Sequence, residues 1–197
     1  MTDPVSLARV CVFCGSNPGI DPGHAAAARG LGQELVARGI GLVYGGGRIG
    51  LMGQIADAVL QAGGEVIGVI PQHLEDLEVG HSGVTELRVV GSMHERKGLM
   101  ADLSDGFIAL PGGIGTFEEL FEVLTWTQLA IHDKPVGLLD ALGFYDPLLA
   151  FLDHAVAQGF LRPEHRAMLH HATEPGPLLD VLARWQPTRV AKWVEGR

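Results

Sequence analysis

Short apolar segments that end in glycine or proline alternate along this chain with segments of helical periodicity. The apolar segments have the length of buried strands, and the segments between them repeat apolar residues three and four positions apart. Strands are predicted at residues 9–14, 40–44, 65–70, 106–110 and 135–139, and helices between them at 23–38, 51–61, 92–102 and 118–130. Such alternation is typical of βαβ units, so we predict an α/β fold with a doubly wound parallel sheet and helices on both faces. Ligands bind at the carboxyl ends of the strands in these folds, and the glycine-rich turns of this chain fall there.

Three further helices are predicted after the last strand, and the chain length favours a single domain. They cover residues 145–158, 163–170 and 177–184, so the core spans residues 8–184. Residues 188–197 are expected to form a weakly ordered C-terminal tail. A chain of 197 residues with 47% hydrophobic content is long enough to bury one domain core and short for two.

The charge balance excludes some classes of partner. A net charge of −9 and the lack of a basic stripe argue against nucleic acid, because duplex binding depends on Lys and Arg side chains that neutralise phosphates. No apolar segment reaches membrane-spanning length, and the start of the chain, Met1 to Pro4, lacks the basic and apolar regions of a signal peptide. We therefore expect a cytoplasmic protein that binds neither nucleic acid nor membranes. A small anionic ligand remains compatible with this charge through local backbone and arginine contacts.

The segment PGGIGTFEE, residues 111–119, combines a glycine turn with acidic residues at the start of a helix. Free N–H groups at such a turn and the positive end of the helix dipole favour an anion, and glycine lets a phosphate approach the backbone closely. The residues expected to hold the phosphate are Gly112, Gly113, Ile114, Gly115 and Thr116. Glu118 and Glu119 then have two interpretations. Each is either an ordinary solvent-facing acid or a carboxylate held beside the ligand for chemistry.

A second glycine turn has the spacing of a dinucleotide-binding motif. Gly45, Gly46 and Gly47 begin a GxGxxG pattern that ends at Gly50, between a predicted strand and a helix. The rest of that fingerprint is missing, because the next strand ends in Pro71 rather than in an acidic residue, and this is the second βα unit rather than the first. We therefore favour a turn that lines a nucleotide pocket over an NAD or FAD site. A purely structural turn is the remaining alternative.

A third turn, formed by Gly15, Ser16 and Asn17, stands at the end of the first predicted strand. Because the carboxyl ends of parallel strands meet at one edge of the sheet, this turn should lie near the other two. We expect it either to supply a hydroxyl and N–H groups to the same pocket or to form a plain turn.

A basic pair, Arg96 and Lys97, falls in the first turn of a predicted helix. Ser92 and Glu95 form a capping-box pattern at the start of that helix, which explains both without a functional role. The helix dipole disfavours cations at this end, so the pair predicts a negative group nearby, either a phosphate or Glu119. The alternative is a solvated surface pair, since exposed charges contribute little free energy.

The sequence lacks the motifs of several common catalytic and redox sites. Cys11 and Cys14 have CxxC spacing, but they lie on a predicted strand with no helix directly after them, so we expect buried cysteines rather than a redox pair. The nine histidines show no metal-ligand spacing, so no metal is predicted. No GxSxG elbow is present. Only Lys97, Lys134 and Lys192 could form the Schiff base of a pyridoxal-phosphate enzyme, so no cofactor is expected.

Taken together, six motifs resemble those of a known family. They are CGS at 14–16, YGGG at 44–47, GLMG at 50–53, VIP at 69–71, MHERK at 93–97 and PGGIGTFEE at 111–119. In this order, over residues 8–155, the chain is similar to the LONELY GUY family of cytokinin-activating phosphoribohydrolases, which are sometimes mislabelled lysine decarboxylases. The specific signal is PGGxGTxxE with an upstream MxxRK. The resemblance implies a Rossmann-like fold, a homodimer, and hydrolysis of the N-glycosidic bond of a nucleoside 5′-monophosphate to a free base and ribose 5-phosphate.

The same resemblance implies site residues. Arg96 and Glu119 match the catalytic pair, and substrate contacts are expected from Glu78, Lys97, the turn at 113–119 and Thr125. The chemistry agrees, because cleavage of the glycosidic bond develops positive charge on the ribose, which a carboxylate stabilises while it accepts a proton from water. Arg96 is expected to orient Glu119 and to lower its pKa.

Two other functions remain as alternatives to the hydrolase. One is a catalytically silent nucleotide-binding module of the same fold, and the other is an amino-acid decarboxylase. Arg96 and Glu119 together favour the enzyme, because a pure binder has little use for an acid beside a phosphate. No motif reports on the base, so N6-modified adenosine 5′-monophosphates and plain AMP are both candidate substrates. The helix at 117–130 is apolar around more of its circumference than one sheet can cover, which also favours a homodimer.

Overall fold

Seven parallel strands form one sheet in the computed structural model, which describes residues 6–77 and 80–187. The strands are β1 (Arg9–Phe13), β2 (Gly41–Tyr44), β3 (Val66–Pro71), β4 (Glu86–Val90), β5 (Gly106–Ala109), β6 (Val136–Leu139) and β7 (Leu169–Ala172). The helices are α1 (Pro22–Ala37), α2 (Gly50–Gln61), α3 (Gln72–Glu75), α4 (Met93–Asp102), α5 (Ile114–Gln128), α6 (Asp146–Ala157), α7 (Pro163–Arg166) and α8 (Pro175–Ala183), and a 3₁₀ turn covers Ala141–Gly143. The predicted α/β class is confirmed.

The order of the strands is β4-β3-β2-β1-β5-β6-β7. All strands are parallel, and the order in which they are added to the sheet reverses between β1 and β5. The chain builds outward from β1 through β2 and β3 to β4, returns to the centre at β5, and then builds outward on the other side. In open sheets of this kind a crevice forms at the carboxyl ends of the two central strands. Backbone hydrogen bonds from Gly15 N–H to Pro111 O, 3.0 Å, and from Leu51 N–H to Gly15 O, 3.0 Å, join the turns around that crevice.

Helices cover both faces of the sheet, as the sequence predicts. One core lies between the sheet and α1, α2 and α8, and the other lies between the sheet and α4, α5 and α6. Successive strand residues alternate between the two, so Val10 and Val12 face the first core whereas Cys11 and Phe13 face the second. This alternation also separates Cys11 from Cys14, which packs in the first core. Both thiols are buried, as predicted, and they face opposite sides of the sheet.

Two strands, the short helix α3 and the end of the helix expected at 163–170 are among the differences from the sequence predictions. β4 and β7 were not predicted, and β7 lies where a helix at 163–170 was expected to end. Both strands lie at the edges of the sheet and contain charged or polar residues, with sequences ELRVV and LHHA. Edge strands are half solvated and often polar, so they lack the continuous apolar pattern that marks a central strand. The prediction of a helix over the second half of 163–170 is therefore wrong.

The helix after the PGG turn begins earlier than predicted. α5 starts at Ile114 rather than at residue 118, so the glycine and threonine of the motif form its first turn. Glu118 and Glu119 consequently lie in the second turn, and the first turn of α5 contains no acidic residue. The N-terminal end of this helix is left uncharged apart from its own dipole.

Some predictions fall outside the described residues. The tail at 188–197 is one of them, and the single-domain organisation of the whole chain stays a prediction. Among the described residues, no helix is long and apolar enough to cross a membrane.

Two buried tyrosines offer a matched test of how the turn after β5 is held. Tyr145 is 1% exposed and donates its hydroxyl proton to Leu110 O at 2.7 Å, whereas Tyr44 is 0% exposed and its hydroxyl has no partner among the described residues. We expect Tyr145→Phe to lower the free energy of unfolding by about 1–3 kcal/mol, because it leaves a buried carbonyl unpaired. Tyr44→Phe removes a hydroxyl that forms no bond, so the free energy of unfolding should stay the same or rise. Urea unfolding of both variants measures the difference, and equal losses would contradict the assignment.

Candidate active site

A cavity of about 590 Å³ opens at the carboxyl ends of the central strands. The turn after β1 contributes Gly15, Ser16 and Asn17 to its wall, and the turn after β2 contributes Gly45 and Gly47. The start of α5 contributes Gly113, Ile114, Gly115 and Thr116, and the charged side chains Arg96 and Glu119 also line it. The volume lies within the range of small-molecule sites, about 300–1,000 Å³. The three glycine turns predicted to lie near one another therefore do so.

Two helices present their N-termini to this cavity. Gly113 is the N-cap of α5 and offers no side chain to cap the helix. The first backbone hydrogen bond of the helix runs from Phe117 N–H to Gly113 O. The preceding N–H groups have no intrahelical acceptor. α2 is also without a side-chain cap, and Ile49 and Met52 at its start line the same cavity. The positive dipole ends of two helices without a side-chain cap thus meet at the cavity, which suits a phosphate group.

Arg96 is fixed by the ends of two strands. Its side chain is 10% exposed, and its Nε donates to Val69 O at 3.1 Å while Nη2 donates to Gly45 O at 3.4 Å. Ser92 caps α4, accepting from Glu95 N–H, while the Glu95 carboxylate accepts from Gly91 N–H at 2.8 Å. The capping residues are thus occupied with the helix end, as predicted. Arg96 is directed away from them, toward the strand ends.

Gly45 serves a steric purpose that the motif did not indicate. A Cβ atom at this position would collide with Nη2 of Arg96. The turn after β2 therefore contains glycine here because the guanidinium occupies the space of a side chain. Gly46, in contrast, does not line the cavity, and it has φ +74°, a conformation that glycine adopts without strain.

Glu119 projects from the second turn of α5 into the same cavity. Its side chain is 11% exposed, and Oε1 lies 3.4 Å from Nη1 of Arg96. Burial raises the pKa of Glu119 above its ordinary value, and the opposing effect of Arg96 does not reverse that rise. Arg96 lowers the pKa of Glu119, as expected, but desolvation of the carboxylate is the larger effect and the net shift is upward. A carboxyl with a raised pKa beside an anion-binding helix end is suited to accept a proton.

Thr116 and Glu119 share one face of α5, three positions apart. Thr116 is 4% exposed, and its hydroxyl lies against the backbone of Gly112, where a Cβ would collide with Oγ1. Gly112 itself lines a neighbouring groove that shares Gly15 and Gly113 with the cavity. Glycine at 112 thus allows the turn to pack against the first turn of α5.

Of three predicted contact residues, two do not line the cavity of the single chain, and the third falls outside the part of the chain that the structure describes. Glu78 falls outside the described residues. Lys97 is turned away from the cavity, with Nζ 2.6 Å from Oε1 of Glu118. Thr125 lies on the outer surface of α5 and donates its hydroxyl proton to Phe121 O at 2.6 Å. Within one chain, neither Lys97 nor Thr125 lines the cavity.

An apolar wall completes the cavity, and it was not assigned from the sequence. Ile49, Met52, Ile70, Leu74 and Met100 form it. Ile70 is in a predicted strand end, and Met52 follows the glycine turn, so both positions could have been found from the rule that strand ends line the site. Leu74 and Met100 carry no such signal, because an apolar residue on a helix is ordinarily part of the core.

Comparison with known proteins identifies the family. A family profile described as "Possible lysine decarboxylase" matches residues 52–182. The rice protein named "Probable cytokinin riboside 5'-monophosphate phosphoribohydrolase LOGL9" is 56% identical over 179 residues, which cover 91% of this chain and 79% of the relative. The rice protein "Cytokinin riboside 5'-monophosphate phosphoribohydrolase LOG" is 53% identical over 179 residues, covering 91% and 74%. The chain belongs to the LONELY GUY (LOG) family of phosphoribohydrolases.

Solved structures agree on the fold. The molybdenum cofactor binding protein from the phototrophic bacterium Rippkaea orientalis superimposes with a TM-score of 0.65 over 92% of this chain and 96% of that one. The two sequences are 24% identical, so this similarity concerns the Rossmann-like sheet and its helices alone.

The buried carboxylate of Glu119 predicts a pH-dependent effect on stability. Because its pKa in the folded protein is raised above 4.5, the wild type gains stability from this group below about pH 4.5 and loses it as the pH rises through the raised pKa. Glu119→Gln lacks that titration. Its melting temperature relative to wild type should therefore increase as the pH is raised from about 4 to about 8.

Glu65→Gln provides a control of opposite sign. A hydrogen bond from Arg9 lowers the pKa of Glu65, so the wild type gains stability from Glu65 above its ordinary pKa and loses it as the pH falls. The melting temperature of Glu65→Gln relative to wild type should fall with rising pH. A flat difference for Glu119→Gln over the same range would contradict the assigned burial effect.

Proposed function

We propose that this protein hydrolyses the N-glycosidic bond of nucleoside 5′-monophosphates and releases the free base and ribose 5-phosphate. N6-modified adenosine 5′-monophosphates and AMP are the proposed substrates, in line with the names of its relatives. The observation that carries the proposal is the Arg96–Glu119 pair, 3.4 Å apart, in the same cavity as the uncapped start of α5. An acid and an anion-binding helix end in one cavity suit a substrate that carries a phosphate at one end and a reacting bond at the other.

The 5′-phosphate is proposed to bind at the first turn of α5. The N–H groups of Ile114, Gly115 and Thr116 precede the first intrahelical hydrogen bond and line the cavity. They offer donors with fixed direction, and the helix dipole adds a favourable potential. The turns at 15–16 and 45–47 then enclose the ribose, and the apolar wall is left for the base.

Glu119 is proposed to act on the ribose and on water. As the glycosidic bond breaks, positive charge grows on the sugar, and a carboxylate about one helical turn below the phosphate site stabilises it. The same carboxylate accepts the proton of the attacking water, for which its raised pKa is favourable. Arg96, anchored on Val69 O and Gly45 O, holds the carboxylate in place and is directed at the nucleotide.

The decarboxylase named by the family profile finds no support in the cavity. A pyridoxal-phosphate enzyme requires a lysine in the site for the Schiff base. Lys97 binds Glu118 and Glu122, and Lys134 donates to Ala101 O at 2.7 Å, so neither lysine lines the cavity. Lys192 lies outside the described residues. A contact of Glu78 with the substrate, a cytoplasmic location and the lack of nucleic-acid binding stay predictions.

A phosphate requirement tests the assigned anion site. We expect AMP or an N6-modified AMP to release ribose 5-phosphate, and adenosine to react with a kcat/KM lower by more than about tenfold, since binding energy from the phosphate supports the chemical step. The assay measures free base by chromatography with each substrate at several concentrations. Equal values for adenosine and AMP would remove the first turn of α5 as the phosphate site.

Glu119→Gln tests the catalytic assignment. The amide preserves the size of the side chain but carries no charge and accepts no proton from water, so kcat should fall by about 10²-fold or more. Binding of AMP, measured by calorimetry, should persist or tighten, because one repulsion with the phosphate is removed. Glu65 directly precedes β3, at the amino end of the parallel strands. Glu65→Gln is therefore the control and should keep its kcat. Turnover by Glu119→Gln near the wild-type rate would instead indicate a silent role for this carboxylate.

We also propose that the protein is a homodimer. The outer face of α5 leaves Ile114 82% and Phe121 36% exposed, and Phe151 on α6 is 64% exposed. A groove of about 500 Å³ along α5 is lined by four apolar side chains, among them Phe117 and Trp126, and by Glu118, Glu122 and Thr125. Apolar surface of this extent on one side of a protein favours burial against a second copy.

Light scattering tests the dimer. The wild type should show twice the chain mass of 20.9 kDa, and Phe121→Asp should shift it to the monomer mass because it places a charge in the apolar face. Val181→Asp is the matched control, since Val181 is 42% exposed on α8 at the opposite face of the sheet. A wild-type monomer at micromolar concentration would contradict the proposal.

A further inference from the structure

The hydroxyl of Tyr145 completes the sheet at the residue where the turn to α5 begins. The carbonyl of Leu110 lies just beyond Ala109 and Leu138, the last residue pair in the register of β5 with β6. It accepts a hydrogen bond from the Tyr145 hydroxyl at 2.7 Å. Burial raises the pKa of Tyr145, so the hydroxyl stays protonated and acts as a donor. A side chain thus continues the hydrogen bonding that the neighbouring strand provides up to this point.

The same turn is held from its other side by the backbone of Gly15. Gly15 N–H donates to Pro111 O, and Gly15 O accepts from Leu51 N–H, each at 3.0 Å. The consecutive carbonyl groups of Leu110 and Pro111 are therefore bound from two directions, by the residue that precedes α6 and by the turn after β1. Through these contacts Tyr145 is connected to both of the helix ends that meet at the cavity, those of α5 and α2.

Only two glycines separate these anchored carbonyl groups from the proposed phosphate donors. Gly112 and Gly113 lie between Pro111 and Ile114, the first residue of α5. Glycine restricts the backbone least of all residues. No atom lies within 4 Å of where a Cβ of Gly113 would be, so this residue is not held by packing. Because a set of N–H groups binds an anion best when its geometry is fixed beforehand, the phosphate site depends on the contacts at Leu110 and Pro111.

The loop that carries Tyr145 is braced around an unfavourable backbone conformation. Leu142 has φ +60°, followed by Gly143 at φ +69°. A leucine adopts this conformation only where the surrounding contacts impose it. Asp140, which is 3% exposed, accepts from Tyr145 N–H through Oδ1 at 2.6 Å, and its own N–H donates to Ala172 O at 2.9 Å. Asp140 thus closes the loop and directs Tyr145 at the end of β5.

We propose that Tyr145 and Asp140 are positioning residues of the phosphate site: Tyr145 fixes the turn after β5 and with it the N–H groups at the start of α5, and Asp140 fixes Tyr145. The inference rests on the proposed function, because it concerns the phosphate of the same substrate. Neither side chain lines the cavity, so both act through the turn. Their loss weakens phosphate binding and the preference for AMP over adenosine, whereas the chemistry at Glu119 is retained.

The central experiment compares Tyr145→Phe with Tyr44→Phe, which removes a buried hydroxyl that has no partner among the described residues. Affinity for ribose 5-phosphate is measured by calorimetry, and kcat/KM is measured for AMP and for adenosine, well below the melting temperature of each variant. Tyr145→Phe should weaken ribose 5-phosphate binding and lower kcat/KM for AMP, each by about five- to tenfold, the size expected for one hydrogen bond. Its kcat/KM for adenosine should change less than about twofold. Tyr44→Phe should leave all three values unchanged.

The ratio of the AMP and adenosine values separates positioning from a loss of folded protein. Unfolded protein lowers both values equally and leaves their ratio constant, so an equal loss on the two substrates would overturn the inference. Leu142→Gly is a control in the same loop, because it relieves the backbone conformation and leaves the tyrosine hydroxyl in place. It should keep the ratio.

Asp140 gives a second pair of variants. Asp140→Asn retains an oxygen for Tyr145 N–H and should preserve the affinity for ribose 5-phosphate, whereas Asp140→Ala should reproduce the loss seen in Tyr145→Phe. Equal affinities in Asp140→Ala and wild type would contradict the part assigned to Asp140.

A measurement without turnover keeps the two proposals separable. Backbone amide relaxation, measured by NMR, should show increased motion of residues 112–116 in Tyr145→Phe and not in Tyr44→Phe. Failure of the wild type to release base from any nucleotide would overturn the proposed function alone, because the relaxation and the ribose 5-phosphate affinities need no reaction. Unchanged ribose 5-phosphate affinity in Tyr145→Phe, or unchanged motion of the turn, would overturn this inference.

Discussion

The carboxylate of Glu119 and the guanidinium of Arg96 are both buried at the carboxyl end of this parallel sheet. Much of the surrounding structure offsets the free energy that their desolvation costs. Arg96 and Glu119 are each less than one-tenth exposed. Such a pair adds little stability, because desolvation offsets the attraction, but removal of one partner leaves an uncompensated charge. The carbonyl groups of Val69 and Gly45 satisfy the guanidinium. Desolvation acts on the carboxylate, which retains a raised pKa for that reason.

Helix α5 sets the distance between the proposed anion site and the carboxylate of Glu119. Glu119 is six positions after Gly113, which corresponds to about 9 Å along a helix axis. The first turn of α5 is free of acidic residues, so the dipole is available to an anion. The acid comes in the next turn, where its face of the helix is buried. This separation of more than one turn lets both groups serve one ligand with limited repulsion between phosphate and carboxylate.

The sequence predicted the central part of the molecule better than its edges. The strands nearest the switch point were found because their residues are apolar on both faces, and the three glycine turns were placed together because parallel strands end at one edge. β4 and β7 escaped because polar edge strands lack that pattern. The two carboxylate partners of Lys97 could not be predicted from spacing, since they depend on the angle between two helices. Prediction of the upward shift in the pKa of Glu119 also requires knowledge of how deeply its side chain is buried, which no sequence motif gives.

The close approach of Arg96 to Gly45 couples two positions 51 residues apart in the chain. A methyl group at position 45 would displace the guanidinium, so glycine there is needed only while arginine occupies position 96. In a descendant that had lost Arg96, the turn after β2 would be released from this requirement and could accept a side chain. Sequence drift at position 45 would then record the loss of hydrolysis, even where the phosphate turn at the start of α5 remained intact.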